Sequence, residues 1–127
     1  MAELLEKELV YKIIGCAMAT HKEIGHGLRE KTYEKAFCVE FKHKGIEFDK
    51  QLKYPVIYRS EVVDEYIPDL VARKKVIVEV KTVESITDEH RGQLLNYLRI
   101  SGIKVGLIIN FKHLKLQWER LVLDTAR

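Results

Sequence analysis

Apolar positions recur along this chain with two different periods, and the change from one to the other marks out its elements. Leu5, Leu9, Ile13, Cys16, Ala17, Thr20 and Ile24 fall at helical spacing and predict a first helix. Gly25 and Gly27, with His26 between them, interrupt it. A second helix is expected from near Leu28, with Leu28, Ala36, Phe37 and Phe41 as its apolar face and Gly45 as its stop. The period then shortens. Ile46 to Tyr58 reads as extended chain, Arg59-Ser60-Glu61 as a turn and Val62 to Ala72 as a strand. Arg73-Lys74-Lys75 is a tight polar turn, and Val76 to Lys81 is its hairpin partner. In that partner Val76, Val78 and Val80 share one face, while Ile77, Glu79 and Lys81 share the other. A third helix is capped by Thr87, carries Asp88 and Glu89 in its first turn and stops at Gly102. Lys104 to Phe111 and Leu114 to Leu123 read as two further strands. The order α-α-β-β-β-α-β-β predicts an α+β layer on a mixed sheet, with one parallel crossover between residues 76 and 111.

Composition narrows this picture. The 127 residues are one domain's worth, so a single domain over 1–127 is expected. Apolar residues make up 46% and charged residues 32%, which fits one hydrophobic core and excludes a disordered chain. No apolar run reaches the ~18 residues of a membrane span. The first residues carry Glu3, Glu6, Lys7 and Glu8 among leucines, unlike a secretory leader. The two cysteines, Cys16 and Cys38, are too few for a disulfide framework or a four-cysteine cluster. A cytoplasmic protein with reduced, buried thiols is expected. A net charge of +3 permits a nucleic-acid partner without demanding one.

The candidate chemistry lies around the hairpin. A turn at Arg73 to Lys75 places Asp69, which follows Pro68, opposite the neighbourhood of Glu79, with Lys81 two residues on and on the same face. Charges on an apolar strand are costly unless paired or bound to metal. Two close carboxylates suit Mg²⁺, which takes one or two carboxylates with water and phosphate oxygens. An isolated Glu-x-Lys on a strand is most often a solvated pair. A Pro-Asp shortly before it arises by chance in roughly one such chain in fifty, which favours a site. Gln93 and Tyr97 are one turn apart on the third helix, with His90 a turn earlier. Glu30 and Glu34 are similarly stacked on the second helix, and either can reach a metal site from above the sheet. Three short basic clusters offer contacts to backbone phosphates: Lys42-His43-Lys44, Arg73-Lys74-Lys75, and Lys112-His113 with Lys115. His21 and His26 have no metal-binding spacing.

Gly27-Leu28-Arg29-Glu30-Lys31-Thr32-Tyr33 resembles the signature of the GxxExxY proteins. The resemblance continues through Pro68-Asp69-Leu70-Val71, Val76 to Lys81, Gln93 to Leu98 and Gly106 to Phe111, in the expected order. That family is placed in the PD-(D/E)xK nuclease superfamily. The resemblance implies a restriction-endonuclease-like α+β fold, a central mixed sheet flanked by helices with core order α-β-β-β-α-β. It implies Asp69, Glu79 and the carbonyl of Val80 as ligands of Mg²⁺ or Mn²⁺, Lys81 as the active-site lysine and Glu30 as a helical acid. Gln93 and Tyr97 resemble the Gln-x-x-x-Tyr motif of RecB-type members and are accessory residues. Thr82 stands where a small residue such as alanine is expected. The implied function is metal-dependent hydrolysis of nucleic acid, with DNA as the expected partner. Arg73, Lys74 and Lys75 are candidate backbone contacts, and a homodimer is a further expectation, since a domain this small has little surface to embrace a duplex. A non-catalytic module that keeps the fold for binding nucleic acid or protein is the alternative.

Overall fold

The helical periodicity of the first third becomes two helices packed on one face of a sheet. The computed structural model describes residues 5–123, and residues 1–4 and 124–127, the ends of the expected 1–127 domain, lie outside that description. Helix α1 (Lys7–Ile24) turns Leu9, Val10, Ile13, Ile14, Cys16, Ala17 and Thr20 inward. Helix α2 (Glu30–His43) buries Tyr33, Phe37, Cys38 and Phe41. It starts at Glu30 rather than near Leu28, because Arg29 is still extended (φ −84°, ψ 160°). Leu28 is exposed, not part of the apolar face expected for it. Gly27, at φ 101°, sits in a left-handed conformation that suits only glycine, which turns the chain between the helices. The Tyr33 hydroxyl ties that turn down, donating to the carbonyl of Gly25 at 2.7 Å and accepting from the N–H of Leu28 at 3.2 Å.

The strands follow as β1 (Phe48–Asp49), β2 (Tyr54–Tyr58), β3 (Glu61–Tyr66), β4 (Leu70–Ala72) and β5 (Val76–Lys81). Helix α3 (Asp88–Ser101) leads to β6 (Val105–Asn110) and β7 (Gln117–Val122). Five strands form one sheet in the order β1-β4-β5-β6-β7. Only its β5–β6 pair is parallel, joined across α3 as the β-α-β order predicts, and the others are antiparallel. This is a mixed α+β, restriction-endonuclease-like fold.

Two expected strands are divided. Val62 to Ala72 does not form one strand. It breaks at Ile67-Pro68-Asp69 into β3 and β4. The first half pairs with β2 in a separate two-stranded ribbon, and the second enters the main sheet. Proline lacks an N–H and restricts the residue before it, so Pro68 ends the ladder and lets the chain change sheets. Ile46 to Tyr58 divides likewise, into β1 on the main sheet and β2 on the ribbon. With the ribbon set aside, the elements from α2 onward run α-β-β-β-α-β, and β7 adds a further edge.

The alternation in β5 sorts the core into two layers. Val76, Val78 and Val80 join the core beneath α1 and α2, where Tyr33, Phe37, Phe41 and Phe111 are fully buried. Ile77 faces the other way, among Val71, Ile108, Leu94, Leu98 and Tyr66 beneath α3.

Candidate active site

Antiparallel pairing fixes the first two site residues. Leu70 pairs with Val78, Val71 with Ile77 and Ala72 with Val76. Continuing this register by one residue sets Asp69 level with Glu79, as the position of the turn predicts. The Asp69 carboxylate crosses to β5, where Oδ2 accepts the N–H of Val80 at 2.8 Å. Strand alternation then gives Lys81 the same face as Glu79.

Glu79 is buried at 8% exposure on the α3 side of the sheet. Its Oε2 accepts a hydrogen bond from the Tyr66 hydroxyl at 2.7 Å. The Tyr66 ring stacks on Tyr97 of α3, with centroids 3.6 Å apart and planes 14° from parallel. Gln93 lies one turn earlier on α3 and draws the Tyr97 hydroxyl down, against the larger upward push of burial. The Gln93–Tyr97 pair therefore leads through Tyr66 to the buried carboxylate. Tyr66 is the residue sequence reasoning missed. Its one signal is that it is the sole aromatic in the acidic, β-branched stretch 61–67.

Helix α2 reaches the end of β5 from the opposite face. Glu30 Oε2 accepts the N–H of Thr82 at 3.0 Å, just beyond Lys81. Glu34, a turn later, is paired with Lys31 at 3.4 Å. Beyond Thr82 the chain is pinned by Asn110, which is fully buried. Its side chain accepts from the N–H of Val83 at 3.0 Å and donates to the carbonyl of Val83 at 2.7 Å. Thr87 then caps α3: its hydroxyl accepts from the N–H of His90, while His90 Nδ1 accepts from the N–H of Thr87 at 3.0 Å. His90 is thus a capping residue. Of the two histidines given no role by the sequence, His21 contacts the carbonyl of His113 at 2.8 Å.

The electrostatics are those of two carboxyls withdrawn from water. Burial pushes the Glu79 carboxyl up to about 7, and the neighbouring Asp69 adds to this, against the opposing Tyr66 hydrogen bond and the Lys81 charge. Burial also raises Asp69, reinforced by Glu34 and Glu30 and opposed by the Val80 N–H and Lys81. Tyr66 is driven strongly upward by burial and by Glu79, so its hydroxyl stays a donor. Two hard oxygen donors set level by the hairpin register fit a divalent ion. Among the described residues no group of three or more His, Cys, Asp or Glu side chains forms a metal cage.

The basic clusters are not gathered at this site. Arg73, Lys74 and Lys75 lie at the far end of the β4–β5 hairpin, about 20 Å from Lys81 at ~3.3 Å per strand residue. Lys112, by contrast, follows β6 at the site end, where the N–H of Phe111 donates to the carbonyl of Lys81 at 2.9 Å.

The mixed sheet thus carries two carboxylates and a lysine at one end of its central hairpin. The sequence model of the PD-(D/E)XK nuclease superfamily matches residues 7–121, and the chain belongs to that superfamily. No curated protein matches the sequence. A solved structure, "Crystal structure of SSO0001", aligns with 85% of this chain at 16% identity and a TM-score of 0.49. This chain spans 62% of that one's length. Among the described residues, no helix is long and apolar enough to cross a membrane.

Proposed function

We propose that this chain is a metal-dependent nuclease of the GxxExxY type, hydrolysing phosphodiester bonds of nucleic acid, with DNA as the expected substrate. The observation that carries this reading is the hairpin register that sets Asp69 level with the buried Glu79. Asp69, Glu79 and the carbonyl oxygen of Val80 would hold Mg²⁺ or Mn²⁺. Bound there, the ion supplies an acidified water and neutralises charge growing on the phosphate. Lys81 faces the same space, orients the attacking water and stabilises negative charge on the non-bridging oxygens. Glu30 holds the backbone beyond β5 through the Thr82 N–H and keeps Lys81 in register. Gln93 and Tyr97 border the cleft from α3. One water is consumed per bond: its oxygen joins phosphorus, one ester bond breaks, and the departing oxygen leaves with a proton.

The test is a substrate panel of single strands, duplexes, flaps and branched molecules, with Mg²⁺ or Mn²⁺ and with chelator. Lys81→Ala is expected to lower turnover at least ~100-fold, the scale of one positioned catalytic group. Because lysine donates no electron pair to the ion here, Mn²⁺ affinity should stay near wild type, whereas Glu79→Ala removes both binding and turnover. Equal cleavage by wild type and Lys81→Ala refutes the assignment. Absence of cleavage in both, with metal bound, favours the non-catalytic module.

A further inference from the structure

Two cavities follow one another along the groove between α2 and β1, the edge strand of the main sheet. The first, ≈ 310 Å³, is lined by Lys31, Lys35 and Lys50, with Glu34 beside them. The second, ≈ 670 Å³, is lined by Lys42, Arg73 and Lys74, with Glu47 and Asp49. Their linings follow one another along the chain, since Lys35 and Lys42 are about two turns apart on α2 while Asp49 and Lys50 are consecutive. We propose that this groove is the track for the sugar-phosphate backbone of one nucleic-acid strand, leading away from the catalytic carboxylates. The inference rests on the nucleic-acid reading of the site and names where the strand lies.

Register ties the groove to the site. Asp49 pairs with Val71, so the next residue, Lys50, comes level with Leu70, the neighbour of Asp69. On the other wall Glu30 touches the end of β5 through Thr82, and Lys31 is the following residue. The walls meet where Phe41 of α2 packs edge-on against Phe48 of β1 at 5.5 Å. At the far end Arg73 and Lys74 both have left-handed backbone (φ 50° and 56°), forming a tight turn beside β1. From Lys31 to Lys42 the helix rises about 16 Å at ~1.5 Å per residue. That spans about five phosphates of a stacked strand at ~3.4 Å each.

Charge decides the kind of ligand. Six cations face three carboxylates in the groove, while the whole chain carries a net +3. Two of the carboxylates are held in exposed pairs, Lys31 with Glu34 at 3.4 Å and Lys74 with Asp49 at 3.3 Å. Exposed pairs of this kind are weak, so the lysines can exchange them for phosphate. The sequence hid this arrangement. Lys31, Lys35 and Lys50 are scattered, and only the packing of β1 beside α2 aligns them with the clusters at 42 and 73.

The test is fluorescence anisotropy with labelled single-stranded DNA and RNA of unrelated sequences, in chelator so that nothing is cleaved, over a salt series. Lys35→Glu with Lys50→Glu is expected to weaken binding at least tenfold, equally for all sequences. Lys35→Gln with Lys50→Gln, the milder change, is expected to lower the slope of log K against log salt by about 1.4, or ~0.7 per cation. Reversal of Lys12 and Lys22 on the exposed side of α1 applies the same charge change elsewhere and should leave binding within twofold. Circular dichroism establishes that each variant is folded. Equal affinity of the Lys35/Lys50 variants and wild type overturns the track, as does wild-type binding insensitive to salt or no binding at all. Because the readout is binding without turnover, wild type that binds through the groove yet never cleaves refutes the nuclease reading alone. Cleavage with unaltered Lys35/Lys50 binding refutes the track alone.

Discussion

At the scale of single residues, the site depends on one phenol. Tyr66 donates to Glu79 Oε2 at 2.7 Å and stacks on Tyr97. A metal-ligating carboxylate works best when its second oxygen is held, because this fixes the first oxygen's direction. Tyr66→Phe keeps the ring and its stack but deletes the donor. It is expected to weaken Mn²⁺ binding ~10- to 100-fold by titration calorimetry. Stability should fall by only about 1–2 kcal/mol, since one buried hydrogen bond is lost. Unchanged Mn²⁺ affinity would show that Tyr66 is packing alone. The acids and the lysine were legible in the sequence because strand alternation and a short turn place them by counting. Tyr66 was not, because its contact crosses from the ribbon to the sheet at a break that the β-rich pattern of 62–72 conceals. Pro68 was the one local sign of that break.

At the scale of elements, Gln93 and Tyr97 are placed by how closely α3 lies on β6. A Cβ added at Gly106 meets Leu94 Cδ1 and Cδ2 at 2.9 Å. Gly106 therefore lets α3 approach, and Leu94, flanked in sequence by Gln93, is fully packed there. Gly106→Ala is expected to destabilise the protein by about 1–3 kcal/mol through overpacking. It should also shift Gln93 and Tyr97 outward and lower activity more than stability alone explains. The comparison is Leu94→Ala with Gly106→Ala: the smaller side chain makes room for the new methyl and should recover part of the lost activity. Failure of that rescue, with both proteins folded, would sink the idea that the close approach positions the pair. The glycine was visible in the sequence only as a residue inside an apolar strand, since no local pattern reveals which side chain a glycine leaves room for. The helices and the parallel crossover were legible because each buries one stripe of a regular period. The ribbon was not, because β2 and β3 have strand composition throughout, and composition does not say which sheet a strand joins.

At the scale of the whole molecule, the fold holds two acids where neither is comfortable without a cation, so stability and metal binding are linked. The sign follows from Glu79, whose carboxyl is pushed above its ordinary value of 4.5, to about 7. Below about pH 4.5 it is neutral in both folded and unfolded chains, and its burial carries no ionisation penalty. Between about 4.5 and 7 the unfolded chain releases this proton while the folded chain keeps it, so stability falls as pH rises. Above 7 the loss is complete, at about 3 kcal/mol for one carboxyl. Raised Asp69 acts in the same direction. Metal-free protein is therefore expected to lose stability from pH 4.5 to 7, and Glu79→Gln, which cannot ionise, to lose less. The curves of wild type and variant should separate only above pH 4.5. A divalent ion that binds only the ionised, folded form would add about 2.7 kcal/mol at 100 times its Kd. Thermal unfolding should then show Mn²⁺ raising the Tm of wild type at pH 8 by roughly 10 °C. The rise should be much smaller at pH 5, where the proton competes for the same oxygen, and absent in Glu79→Ala at either pH. An equal rise in Glu79→Ala would place the ion elsewhere. Parallel pH curves for wild type and Glu79→Gln would mean that Glu79 ionises in the folded protein as readily as in water, and the linkage between this site and the fold would be lost.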